Sequence, residues 1–310
     1  MKRLTRHPEL VTVALIVLAF VAGAMESHSF LDPIYLLDRT KLFAETGLMV
    51  IGMTFVIVCG QIDLSVAANL GLTACLVAKL ALVAPPPVVV LAGVLIGGLL
   101  GAFNGVLIAY ANLPSFLVTL GTLAFYRGAA QALVGSESVA LPAGMKGIGD
   151  AYLPYPAPIS LVIVLVVGVG LGIVLHRSMF GRWVYATGAN EQAANYSAVP
   201  AARVKFWVFV LSGVLAGIGA VLMDSRLGVA RYDHAKGFEL DVITATVLGG
   251  ASIYGGKGSM LGAILAFFLI FLVRTGMGLA NVSAEYQLAV VGTLLIVAVG
   301  LNMLAGRRGS

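Results

Sequence analysis

Two unbroken apolar runs, Val88 to Leu100 and Met260 to Val273, constrain this chain more than any other feature. Neither contains a charged residue, and both are longer than the strands of ordinary globular proteins. A helix on the surface of a soluble fold keeps one polar face for water, and these runs offer none. The rest of the chain agrees. Hydrophobic residues make up 60% of 310 and charged residues 11%, where a soluble domain carries about 25% charged. The reading is an integral membrane protein. A transmembrane β-barrel would show short alternating segments, so the runs specify helices.

At roughly 20 residues per crossing, an all-α, polytopic membrane helix bundle of about ten spans fits. It reads as one integral membrane domain over 1–310 with little left for an extramembrane unit. The spans fall at approximately 10–26, 45–60, 65–84, 88–111, 115–134, 158–175, 206–223, 241–254, 258–279 and 286–304. With the N-terminus inside, the cytoplasmic cations are Lys2, Arg3, Arg6, Arg177, Arg182, Arg203, Lys205, Lys257, Arg307 and Arg308. The outer set is Arg39, Lys41, Lys146, Arg226, Arg231 and Lys236. That bias places both termini in the cytoplasm and accounts for the net charge of +5 without nucleic acid. The start, Lys2 to Arg6 followed by Leu10 to Val21 and a small-residue stretch, also fits a cleavable signal peptide. An uncleaved first span is the simpler reading.

Between the spans, Pro85-Pro86-Pro87 reads as a tight turn, and Ser136 to Pro158 and Asp224 to Asp241 as external segments. The 241–254 span is short and ends in Gly249-Gly250 and Gly255-Gly256, which suits a broken or re-entrant helix with gating glycines. Asp63-Leu64-Ser65-Val66 echoes Glu239-Leu240-Asp241-Val242, and Leu100-Gly101-Ala102 echoes Leu261-Gly262-Ala263, a hint of pseudo-repeated halves.

Catalytic signatures fail one by one. Counting back from Gly256-Lys257 gives Ala251 where a phosphate-binding loop needs Gly, and Gly258 follows the lysine where Ser or Thr is required. Cys59 and Cys75 lie in or beside apolar spans, and His7, His28, His176 and His234 are scattered, so no metal site is expected. Polar residues inside spans remain. Asp63 or Ser65 caps the helix that follows, or Gln61, Asp63 and Asn69 line a polar path, and the two are compatible. Arg127 and Gln131 face a pathway or snorkel to the outer interface. Asn104 and Thr119 suit hydrogen bonds between helices as well as a path. The glycines mostly permit close packing.

His176 to Lys205 is the one substantial basic, polar break. Within it Asn190 is a good N-cap, Glu191 favours the positive end of a helix, and Pro200 stops the helix after roughly two turns. Gly188, Asn190, Glu191, Ala193, Ala194 and Ala198 form a short, low-relief segment suited to docking a soluble partner.

Together these stretches resemble the permease subunits of bacterial ABC-type monosaccharide importers, the ribose, xylose, galactose and rhamnose branch. The resemblance rests on Gln61 to Val66, Thr119 to Thr122 with Arg127-Gly128, Gly188 to Ala194, and Phe238 through Val247 to Ser259. Asp63 to Asn69 looks most like permeases for rhamnose and for autoinducer-2. The resemblance implies two permease subunits, identical or related, two cytoplasmic ATP-binding subunits that hold the ATP–Mg, and a periplasmic sugar-binding protein. This chain itself would hold no cofactor and catalyse nothing. Glu191 to Ala198 would be the coupling helix. The family commonly has Gly where this chain has Ala198, and Gly-Gly-Ile-Asp where it has Gly60-Gln61-Ile62-Asp63. Two other classes compete. A stand-alone secondary sugar transporter or facilitator would show buried mid-span carboxylates, whereas Asp63, Glu239 and Asp241 lie near span ends. An intramembrane enzyme would show a nucleophile–base cluster.

Overall fold

A computed structural model describes residues 8–153 and 155–307. Lys2, Arg3, Arg6 and Arg308, which carry part of the expected charge bias, lie outside the described residues, as do His7 and the start of the candidate signal peptide. The elements are α1 (Pro8–Glu26), α2 (Pro33–Arg39), α3 (Ala44–Val58), α4 (Val66–Ala81), α5 (Pro86–Ala109), α6 (Ser115–Val134), β1 (Val139–Ala140), α7 (Ile159–Arg177), α8 (Met179–Ala189), α9 (Glu191–Tyr196), α10 (Ala201–Leu227), β2 (Val229–Ala230), α11 (Phe238–Leu248), α12 (Met260–Leu279) and α13 (Ala284–Arg307).

Each expected span falls on a separate helix, 241–254 overlapping α11 only as far as Leu248, so ten helices are not thereby ten crossings. By length and hydropathy alone, six stretches among the described residues can cross a bilayer: Pro33–Val58, Pro86–Ala109, Ser115–Val134, Ile159–Arg177, Ala201–Leu227 and Met260–Leu279. Helix α11 has 11 residues, about 16 Å at 1.5 Å per residue, too short for the ~30 Å hydrocarbon core. Beyond Leu248 the chain is non-helical until Met260, so the expected 241–254 span is a half-helix followed by a loop.

The connections sort to two poles. At one, Gly256 N donates to Val58 O (2.9 Å) and Ile62 N to Ser115 Oγ (3.2 Å). The α8–α9 segment joins this pole, the α9 pole, since Gly188 abuts Val58 and Gly256, and Glu191 shares a cavity with Gln61 and Ser115. At the opposite pole, Gly149 N donates to Ser225 Oγ (3.2 Å), and β1 pairs antiparallel with β2, Val139 opposite Ala230. The two expected external segments are thus stitched together. The echoing tetrapeptides therefore introduce helices that run in opposite directions, α4 away from the α9 pole and α11 towards it.

Helices α3 and α4 form the buried centre: every residue of α3 is inaccessible, and nearly all of α4. Helices α5 and α10 cross on a stripe of glycines. A Cβ on Gly97 would meet Gly213 O at 2.4 Å, one on Gly213 would meet Gly97 O at 2.2 Å, and one on Gly217 would meet Gly93 O at 2.3 Å. Hydrophobic segregation does not drive helix association inside lipid, so such backbone approach supplies the dispersion contacts instead. On the far side of α5, Leu91, Leu95, Leu99 and Phe103 stand exposed, as a lipid-facing surface requires.

Three boundaries differ from expectation. Pro86 and Pro87 open α5, where proline's missing N–H costs nothing, so the triple proline is a helix start and not a free turn. Helix α10 runs through to Leu227 and ends on left-handed Gly228, so Asp224 and Arg226 are helical. Helix α8 occupies part of the segment read as a polar break; Ser178 caps it by accepting from Gly181 N at 3.0 Å.

Candidate functional site

The segment from α8 to α9 is built on its caps. Asn190 Oδ1 accepts from Ala193 N at 2.9 Å, as its N-cap position predicts. Glu191 Oε1 receives Lys205 Nζ at 2.6 Å, which pins the first residue of α9 to the first turns of α10. Helix α9 is six residues long and Ser197 follows it in a bent conformation. Ala194 turns inward and is 5% exposed, so it anchors the helix and adds nothing to a docking face. The outward side is Gln192, Ala193, Asn195, Tyr196, Ser197 and Ala198, with Tyr196 93% exposed. The sequence reading missed Tyr196, although an aromatic between small residues is a usable signal. Ala198 adopts φ 61°, the left-handed region. That explains physically why glycine suits this position.

Gly188 is wedged into the body of the protein. A Cβ there would lie 1.9 Å from Val58 O and 2.7 Å from Gly256 N. Gly60 (φ 75°) and Gly255 (φ 82°) meet it: a Cβ on Gly255 would sit 2.5 Å from Gly188 O and 2.7 Å from Gly60 Cα. Three segments thus touch main chain to main chain: the end of α8, the α3–α4 loop and the α11–α12 loop. Gly249 is equally confined, a Cβ on it meeting Ala263 N at 2.4 Å, and Gly250 (φ 92°) and Gly256 (φ 71°) hold left-handed backbone. Of the four glycines expected to gate, Gly249, Gly255 and Gly256 are, in this conformation, tightly seated, and Gly250 is set by its left-handed backbone.

The polar residues expected along a path form a lattice. Asp63 Oδ1 accepts from Ser65 N (2.9 Å) and Ser65 Oγ (2.7 Å), and Asp63 Oδ2 accepts from Ser212 Oγ (3.0 Å). Asp63 therefore closes a turn before α4 and does not cap the helix; Ser65 occupies the N-cap position without a side-chain cap bond. Asn104 Nδ2 donates to Ser65 Oγ (2.8 Å), Asn69 Nδ2 to Gly97 O (3.1 Å), and Thr119 Oγ1 to Ile62 O (3.2 Å). Asp63, Asn69, Asn104 and Thr119 are buried and bind the α3–α4 loop, α4, α5, α6 and α10 together. Gln61 lies at the α9 pole on a polar cavity. Gln131 is exposed; its main-chain carbonyl accepts from Gly135 N at 2.7 Å and its side chain makes no hydrogen bond among the described residues.

Arg127 sits apart from that lattice. Its Nη1 donates to Tyr232 O (3.0 Å) and His234 O (2.5 Å), clamping a strap of residues 228–237 across α4 at Gly71. Glycines with left-handed backbone, Gly228 (φ 69°) and Gly237 (φ 90°), bound the strap. On it, Arg231 grips Asp233 through two bonds of 2.9 Å and holds that carboxyl below its ordinary range.

Below the strap lies a cluster the sequence reading did not assemble. Glu45 Oε1 pairs with Arg226 Nη2 at 2.7 Å, and Asp224 lies 3.4 Å from His234 Nδ1; Glu45, Asp224 and His234 are buried and Arg226 is partly so. Glu45, in the first turn of α3, and Asp224, in the last turn of α10, are thus buried carboxylates that the sequence reading did not weigh beside Asp63, Glu239 and Asp241. Glu45 alone in an apolar run was the available signal. Asp241 pairs with Arg274 at 2.7 Å. Among the described residues no group of three or more His, Cys, Asp or Glu is placed to hold a metal ion.

Residues 35–299 match the family described as branched-chain amino acid transport system / permease component. The chain belongs to this permease family. The permease is 35% identical to a ribose import permease protein of Bacillus subtilis over 294 residues, covering 94% of this chain and 91% of that one. It is 33% identical to an autoinducer 2 import system permease protein of Salmonella typhimurium over 298 residues, 94% of this chain and 90% of the relative. The Yersinia pseudotuberculosis protein of the same description is 35% identical over the same length and coverage. No solved structure matches the permease. A polytopic, helical membrane permease, as the resemblance implied, is what this chain is.

Proposed function

We propose that the permease is the channel subunit of an ATP-driven, binding-protein-dependent importer of a small sugar, of the class that includes ribose, rhamnose and the furanosyl signal autoinducer-2. It works in a bacterial inner membrane with both termini cytoplasmic, paired with a second permease, identical or related. Cytoplasmic subunits supply ATP–Mg chemistry, and a periplasmic protein delivers the sugar. Substrate class is carried over from the relatives, and the observation that supports coupling is the seat of Gly188. A partner that moves α9 moves α8, and the end of α8 bears directly on both interhelix loops, with no side chain between to absorb the displacement. Docking biases the two faces of the channel only if it interacts differently with each state.

The first experiment is gentle extraction of the tagged permease from its host and identification of what co-purifies. A stoichiometric ATP-binding subunit supports the reading. Ala193→Trp, on the exposed face of α9, is expected to abolish uptake without affecting insertion; full uptake by that variant sinks the docking role. A second reading, a stand-alone ion-coupled carrier, is favoured by buried Glu45 and Asp224. It requires the isolated permease to move sugar in liposomes under an ion gradient without ATP.

A further inference from the structure

At the α9 pole a polar cavity of about 270 Å³ opens between the α3–α4 loop, the α5–α6 loop and the start of α10. Gln61, Asn112, Ser115, Glu191 and Lys205 line it. It unites two groups the sequence left separate, since Gln61 belongs with the candidate path and Glu191 with the coupling segment. The volume lies slightly under the roughly 300–1,000 Å³ of drug-sized ligand sites, which suits one small polyhydroxy molecule. The amides of Gln61 and Asn112 make no hydrogen bond among the described residues, so each offers a free carbonyl and a free NH₂. Lys205, nearly inaccessible, offers the N–H bonds that Glu191 leaves unused. Ile108, Leu113 and Pro114 add an apolar wall for the C–H face of a ring.

We infer that this cavity is a product site, occupied by the imported sugar on the cytoplasmic side, whose occupancy slows further import. The inference rests on the importer reading. A sugar hydroxyl that hydrogen-bonds Glu191 or Lys205 engages the one ion pair that fixes α9 to α10, so a filled cavity alters the geometry presented to the partner. Asn112 has φ 55°, which glycine accepts without strain, so Asn112→Gly removes the amide while keeping the loop's shape.

The test uses the complete complex in proteoliposomes whose lumen represents the cytoplasm. D-ribose, L-rhamnose and autoinducer-2 are each offered outside with ATP inside, and the sugar that is taken up is then preloaded. Lumenal sugar is expected to lower the initial rate. Asn112→Gly is expected to raise the half-inhibitory concentration at least fivefold, with uptake into empty vesicles within twofold of wild type. Uptake unaffected by lumenal sugar, or equal inhibition of both proteins, overturns the product site while leaving the importer reading intact. Absence of ATP-dependent uptake of all three sugars overturns both.

Discussion

Lys205 Nζ lies 2.6 Å from Glu191 Oε1, and the lysine is almost wholly buried while the glutamate is partly open to water. The asymmetry matters for what each substitution does. Removing the carboxylate strands a buried ammonium, whereas removing the lysine leaves an acid that solvent can reach. Glu191→Ala is therefore expected to cost more than Lys205→Ala does through lost charge pairing, between the ~1 kcal/mol of an exposed pair and the ~3 kcal/mol of a buried one. The double variant, Glu191→Ala with Lys205→Ala, is expected to lose less than the sum of the two single losses. Partner ATPase stimulation and thermal unfolding, measured across the four proteins, give the coupling; strict additivity of the two single variants argues against the pair.

Asp63 accepts three hydrogen bonds without a cation beside it. Asp63→Ala orphans buried donors at about 1–3 kcal/mol each, and a fall in Tm of at least ~5 °C is expected. Asp63→Asn keeps the oxygen that Ser65 uses, and the Ser212 hydroxyl can turn to accept from the new amide. Its Tm is expected to stay within about 2 °C. Equal losses in both variants would mean the charge, not the bonding pattern, is what the site needs.

The glycines sort by what surrounds them. A methyl on Gly97 or Gly213 falls within 2.4 Å of a carbonyl oxygen on the facing helix, whereas one on Gly121 or Gly128 meets nothing within 4 Å. Gly97→Ala and Gly213→Ala are each expected to destabilise by about 1–3 kcal/mol through forced separation of α5 and α10. Gly121→Ala and Gly128→Ala, on α6, are expected to be neutral or to stabilise by up to ~1 kcal/mol through helix propensity. Fluorescence-detected size exclusion after a heat step ranks the four, and a reversed order removes the packing argument.

Ala198 is exposed and holds φ 61°. An L-residue pays roughly 1–2 kcal/mol in that region, and no contact is lost with the methyl. Ala198→Gly is expected to leave uptake unchanged and to raise the unfolding temperature by a few degrees, less the entropy that glycine adds to the unfolded chain. A lowered temperature would show that the methyl packs after all.

The long apolar helices were readable because lipid demands long hydrophobic segments regardless of which neighbours they meet, whereas the short half-helix α11 was overdrawn as a span. Asn190 was readable because a cap is a local device. Helix α8 was not: its 11 residues mix Arg182, Tyr185 and Thr187 with apolar positions, and next to runs such as Val88 to Leu100 that mixture looks like a break. The inward turn of Ala194 depends on where α10 lies, which spacing within α9 cannot tell. Glu45 and Arg226 are separated by 181 positions, so only the folded chain pairs them. Asp63 was recognised as polar and functional in type, yet whether it lined a path or locked a turn depended on Ser212, far along the chain.

Where Gly60, Gly188 and Gly255 converge, the parts in contact are atoms that every amino acid shares. A joint of this kind holds no information about cargo. If the joint transmits docking as proposed, side chains that read one sugar or another can drift elsewhere in the permease without retuning it, and the drive train and the choice of freight are then free to diverge independently.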